Sequence, residues 1–190
     1  MHLALRLFFY RSVVSSPFMS LHSHIILGVS GSIAAYKAPL ILRELQRALA
    51  DVHVVMTSSA TSFVTPLVLA NLSRHPVAVD MFDETVQRGG SWHIELARSA
   101  DAMLIAPASA KTLASLAHGI SDTPLSCVAL ALPTHVPLFV APAMDTEMWE
   151  HPATHHNLSV LRSRGVHIID PTHGELASGA VGIGRMQEPD

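Results

Sequence analysis

Short apolar bursts alternate with amphipathic stretches along this chain. His24–Val29 (HIILGV) is a continuous apolar run that closes on a glycine-serine turn, Gly28-Val29-Ser30-Gly31-Ser32. The next stretch, AAYKAPLILRELQRALA, places leucines at 40, 42, 45 and 49, a spacing that predicts a helix. DVHVVMT is a β-branched run ending on Thr57, Ser58 and Ser59, so the opening third reads strand, glycine turn, helix, strand. A helix is predicted over Ser62–Ser73, then a polar loop, FDETVQRGGSWHIE, around Gly89-Gly90. Ala102–Ala106 predicts a buried strand and Ala110–His118 a helix stopped by Gly119. Leu125–Leu132 predicts a helix, Val136–Ala141 a strand, Pro152–Arg164 a helix closed by Gly165, and Val166–Ile169 a last strand.

Five strands alternating with helices predict an α/β fold, a doubly wound parallel sheet in a single domain. Ligands of such sheets bind beyond the carboxyl ends of the strands. The polar clusters fall at those ends: SGS after the first strand, TSS after the second, PASAKT after the third, PAMD after the fourth. The Gly-rich stretch Gly174–Glu188 has no apolar periodicity and is expected to be a loop or lid.

Composition narrows the classes. Hydrophobic residues make up 49% and charged residues 14%, which excludes a disordered chain and a solvated helical rod. Twelve basic and fifteen acidic residues give a net charge of −3, so no nucleic-acid partner is expected. The mean hydropathy of +0.35 implies a well-filled core and subunit interfaces. Thr123–Met144 carries no Asp, Glu, Lys or Arg, but Pro124, Pro133, Pro137 and Pro142 interrupt it, so no membrane partner is expected. One cysteine, Cys127, excludes an internal disulfide and fits a reducing, cytoplasmic setting. Residues 1–18 loosely resemble a targeting segment without a cleavage site, and are expected to be an extension before a domain that starts near Met19.

Two constellations carry candidate chemistry. The Ser30-Gly31-Ser32 turn opens a helix, where backbone N–H groups suit a phosphate. Neither the dinucleotide fingerprint nor the Walker loop is present, which argues against NAD and ATP. With the other strand-end hydroxyls, the turn suggests a phosphorylated cofactor bearing a polar ring system. Among thirteen histidines, His151, His155 and His156 come nearest to ligand spacing, but no metal is expected. His93, beside Trp92 and after a Gly-Gly segment, is a candidate general acid or base.

Five segments occur in order: GVSGSIAAYK (28–37), WHIELARSAD (92–101), APASAKTLASLAHGISD (106–122), PAMDTEMW (142–149) and LASGAVGIGRMQEP (176–189). Together they resemble the flavin-containing cysteine decarboxylase family, most closely its phosphopantothenoylcysteine decarboxylase branch. The resemblance implies a Rossmann-like flavoprotein that binds FMN between the subunits of a homotrimer, or a multiple of three. It implies oxidation of a small-molecule substrate's cysteine thiol to a thioaldehyde, loss of CO₂ to an enethiol, and return of the electrons to give 4′-phosphopantetheine, a step of coenzyme A biosynthesis. By motif position His93 and Ser178 become catalytic candidates. Ser30, Gly31, Ser32, Thr57, Ser58, Ser109, Ala110, Lys111, Thr112 and Ala143 become cofactor-binding candidates. Met144, Asp145, Ala177, Arg185 and Met186 become substrate-binding candidates. The expected organisation is an extension over 1–18, an FMN-binding domain over 19–173, and a Gly-rich substrate clamp with the start of a linker over 174–190.

Two positions depart from that pattern. Asp145 stands where many members have Asn, and a carboxylate there repels the substrate's carboxylate unless it is protonated or accepts from an amide. Ser178 stands where many have a proton-donating Cys, and a hydroxyl is a far weaker acid. Two alternatives therefore stay open: a peptidyl-cysteine decarboxylase whose product remains an enethiol, and a non-catalytic flavin-binding regulatory subunit. The family's bifunctional members continue into a ligase domain, whereas this sequence stops at Asp190.

Overall fold

A computed structural model describes residues 23–84, 86 and 91–189. The expected 1–18 extension, the domain start near Met19 and the Gly89-Gly90 turn lie outside the described residues.

The chain forms a five-stranded parallel sheet of order β2-β1-β3-β4-β5, made of β1 (Ser23–Val29), β2 (Ala50–Met56), β3 (Ala102–Ala108), β4 (Leu138–Pro142) and β5 (His167–Ile168). The order reverses between β1 and β3, which opens a crevice at their carboxyl ends. The strands read as continuous apolar runs because both faces are covered. Ile25, Leu27 and Val29 of β1 point into one core with Val52, Val54, Leu104 and Phe139. Ile26 points into the other with Val55, Met103, Ile105 and Val140.

The first core is roofed by α1 (Ala38–Arg47) and α2 (Pro66–Ser73). The stripe that α1 buries is Ala38, Ile41, Leu42 and Leu45, at helical i, i+3, i+4, i+7 spacing. Leu40 and Leu49, expected to share it, are 52% and 65% exposed. Leu40 lies two residues from Leu42, about 200° around the helix, and Leu49 follows the last turn. The expected Ser62–Ser73 helix begins only at Pro66, which Thr65 caps, after a 3₁₀ turn over Ser58–Ser62. A proline suits the first turn of a helix and breaks an interior.

The second core is covered by α3 (Trp92–Ser99), α4 (Ala110–His118), α5 (Pro124–Ala131) and α7 (Pro152–Ser163), with a single turn, α6 (Thr146–Trp149), before α7. Helix α3 begins inside the stretch expected to be loop: Trp92 and Ala97 are buried, with His93 half-buried and Glu95 exposed between them. The expected lid is instead an antiparallel hairpin, β6 (Thr172–Glu175) with β7 (Val181–Arg185). Among the described residues no helix is long and apolar enough to cross a membrane.

Candidate functional site

Four strand-end loops converge at the crevice and tie to one another. Ser30, fully buried, donates from Oγ to the Pro107 carbonyl at 2.8 Å and accepts from the Ser109 amide at 2.8 Å, joining the β1 and β3 ends. Ser32 caps a 3₁₀ turn over Ile33–Lys37 and donates to the Ala143 carbonyl at 3.3 Å, joining β1 to β4. Ala143 in turn donates its amide to the Ala108 carbonyl at 3.2 Å. Gly31 abuts the β2 loop: a Cβ there would collide with the Ser59 hydroxyl and lie 2.7 Å from its Cβ, so the two loops approach only because Gly31 has no side chain.

Hydroxyls and amides line this cradle. Thr57 Oγ1 and Ser59 Oγ lie 3.1 Å apart, and Ser58 is exposed beside them. Ser109 caps α4, accepting from the Thr112 amide at 3.3 Å, with its Oγ 3.1 Å from Thr112 Oγ1. Ala110 and the exposed Lys111 form the first turn of α4, whose N-terminal amides and dipole favour an anion. This is the donor set for a phosphate and a ring edged with carbonyls and nitrogens. Ser30 differs from the others, since its hydroxyl is spent inside the protein and builds the cradle.

The hairpin lies across the β4 end. The Met144 amide donates to the Gly184 carbonyl at 3.2 Å, and Thr146 Oγ1 to the Ile183 carbonyl at 2.8 Å. Gly184 has φ +140°, and a Cβ there would collide with the Met144 carbonyl oxygen. Beyond β7, Met186 is buried in the first core. Lys37, only 2% exposed, donates from Nζ to the Met186 carbonyl and to Glu188 Oε1, both at 2.9 Å. Arg185, exposed, also pairs with Glu188. Lys37 first and Arg185 second hold the Glu188 carboxyl below the usual range.

Asp145 and Ser178 meet. Asp145 caps α6 and accepts from the Thr146 amide at 2.8 Å. The Ser178 hydroxyl, at the exposed hairpin tip beside Ala177, is the largest influence holding the Asp145 carboxyl below its ordinary range, and the Thr146 amide the next. The Asp145 carboxylate accepts from the Thr146 amide, and both neighbours favour its charged form. The pairing was invisible in sequence because 33 positions separate the residues, which only the hairpin closes.

His93 sits in the first turn of α3, half-buried, its ring edge-on to Trp92 with centroids 5.9 Å apart. Helix α3 runs back towards the start of β3, so its first turn faces the carboxyl edge. His151 caps α7 through Nδ1, and His155 lies against Trp149. Cys127 is half-buried, and burial pushes its thiol up.

The chain resembles proteins of known kind. The family described as Flavoprotein matches residues 14–190. A probable phosphopantothenoylcysteine decarboxylase of Streptococcus mutans is 46% identical over 166 residues, covering 87% of this chain and 92% of that protein. The Coenzyme A biosynthesis bifunctional protein CoaBC of Haemophilus influenzae is 44% identical over 167 residues, but the chain spans only 41% of its length. Among solved structures, a cysteine-to-serine mutant of PPC decarboxylase complexed with pantothenoylaminoethenethiol superposes with TM-score 0.81 at 37% identity, covering 88% of this chain and 92% of that one. The FMN binding protein AtHal3 superposes with TM-score 0.75, also at 37% identity, over 88% and 90% of the two chains.

Proposed function

The chain belongs to the Flavoprotein family, and from that membership we propose that it is an FMN-dependent decarboxylase of 4′-phosphopantothenoylcysteine. The observation that carries this reading is the cradle of tied strand-end loops at the sheet's reversal point, closed by the hairpin. The 46% identity across 92% of a probable phosphopantothenoylcysteine decarboxylase supports the substrate.

The residues present fit FMN. Ser32, Thr57, Ser58, Ser109, Thr112 and the α4 amides with Lys111 would hold its phosphate and polar edge, while Ser30, Gly31 and Ala143 set the loop spacing. When bound, FMN supplies the two-electron oxidation and the matching reduction. Met144, Asp145, Ala177 and Arg185 would then frame the substrate beneath the hairpin, and His93 would move a proton at the reacting end; Met186, expected to join them, instead anchors its side chain in the first core. The purified chain should be yellow and release CO₂ from 4′-phosphopantothenoylcysteine; a protein that takes up no FMN, or takes it up and releases no CO₂, refutes the reading. Replacing His93 with Asn should keep the colour and cut turnover at least about a hundredfold.

One observation favours a second outcome of the same reaction. Ser178 is a hydroxyl where a thiol would donate, and a cysteine-to-serine mutant of a relative has been solved with an enethiol bound. In a single turnover the product would then stay at the enethiol, with the two electrons left on the cofactor; it is lighter than the thiol by one H₂, which mass spectrometry of the product reads directly.

The assembly in this reading is a homotrimer in the cytoplasm. Exposed apolar side chains support it: Ile33 and Tyr36 in the 3₁₀ turn, Leu40 in α1, and Leu67 and Val68 on the adjoining α2. Light scattering at the monomer mass with flavin bound would exclude it.

A further inference from the structure

The opposite, amino edge of the sheet holds a group of side chains that the flavin chemistry does not use. His24 is the second residue of β1 and pairs in register with Asp51 of β2. His53 lies two residues beyond Asp51, so strand alternation puts all three on one face. The His24 Nδ1 lies 3.3 Å from Asp51 Oδ2, and the His53 Nε2 lies 3.4 Å from the same oxygen. The three donor atoms all lie within 4.8 Å of one another. Ligands bound at about 2.1 Å in a tetrahedral shell sit about 3.4 Å apart, so two of the three edges already have coordination spacing.

A fourth residue steadies the carboxylate. The segment after α2 runs beside β2, with Val55 bridging Ala78 in parallel. That path brings His75 to the group, where its Nε2 lies 2.7 Å from Asp51 Oδ1 and its ring stacks on His53 at 3.9 Å. Asp51 thus keeps one oxygen towards His24 and His53 and gives the other to His75. An outer hydrogen bond that fixes a ligating carboxylate is the usual companion of a built metal site.

We propose that His24 Nδ1, Asp51 Oδ2 and His53 Nε2 form a Zn²⁺ site, with water as fourth ligand and His75 as the positioning residue outside it. Two imidazoles and a carboxylate suit Zn²⁺, and all three side chains retain solvent access, so an ion can enter. The length of β1, roughly 16 Å from His24 to Val29 at ~3.3 Å per residue, separates the ion from the cradle. Its role is therefore to pin the starts of β1 and β2 and the segment after α2, independently of flavin chemistry. Sequence spacing hid the site, because strand pairing and a loop bring together positions 24, 51, 53 and 75; only the Asp-Val-His alternation in β2 hinted at it.

The test uses the full chain, without a histidine tag and stripped with chelator. Calorimetry with Zn²⁺ should show one ion per chain, Co²⁺ should give the visible absorption of a four-coordinate ion, and Zn²⁺ should raise the thermal midpoint. Asp51→Asn and His53→Ala should each weaken binding more than tenfold, and His75→Ala by ten- to a hundredfold with stoichiometry kept. Should Asp51→Asn fail to fold, His24→Gln at the exposed end of β1 reads the same loss. His155→Ala combined with His156→Ala should leave the titration unchanged. No uptake by the full chain, or uptake indifferent to His53→Ala and His24→Gln, overturns the proposal.

Discussion

Ser30 and Ser58 both follow a strand, yet they work differently. Ser30 is sealed between the Pro107 carbonyl and the Ser109 amide, while Ser58 faces outwards. Replacing Ser30 with Ala strands the Ser109 amide, since the Pro107 carbonyl keeps the Ser30 amide at 3.2 Å. We expect a loss of about 1–3 kcal/mol in denaturant unfolding, with weaker flavin retention, and Ser58→Ala should leave stability unchanged. Glu188 carries a pH consequence. Its carboxyl is held below the ordinary value, so the tail contact is fully present above about pH 4.3 and fades as acid protonates the docked group. Proteolysis within residues 181–189 should accelerate on acidification below that point, and Glu188→Gln should flatten the response.

Among the elements, the hairpin shows best what sequence could and could not tell. Its glycines read as mobility, whereas Gly184 is a fitting residue: positive φ and contact with the Met144 carbonyl leave no space for a Cβ. Gly184→Ala should cost more than about 1 kcal/mol and expose the hairpin to protease before the sheet unfolds. The parallel strands were legible because both faces demand apolar residues, and so were the helices bounded by Gly119 and Gly165. Helix α3 was not, since its apolar face holds only Trp92 and Ala97 fully buried with Ile94 and Leu96 half-buried, and the start of α2 was set by Pro66. The convergence of the polar strand ends was legible, but the role of Ser30 was not, because a serine that builds a cradle and one that lines it look alike in sequence. The Asp145–Ser178 pair needed the hairpin's return path.

Across the whole molecule, the sheet separates two chemistries, with hydroxyls and amides at its carboxyl edge and imidazoles with a carboxylate at its amino edge. Apolar positions 33, 36, 40, 67 and 68 leave one flank of exposed hydrophobic side chains. Lys37 reaches far along the chain, because the groups that receive its buried ammonium lie 149 and 151 residues further along. On a ribosome adding about 5–20 residues per second, that interval is on the order of ten seconds. Throughout it the ammonium has no partner and must stay hydrated, so the turn that begins with Ser32 cannot settle. The sheet is complete once β5 has emerged, yet the Lys37 contact that fixes the crevice forms only when residues 186–188 follow. A nascent chain stalled before residue 186 would therefore hold the strands without the Lys37 grip.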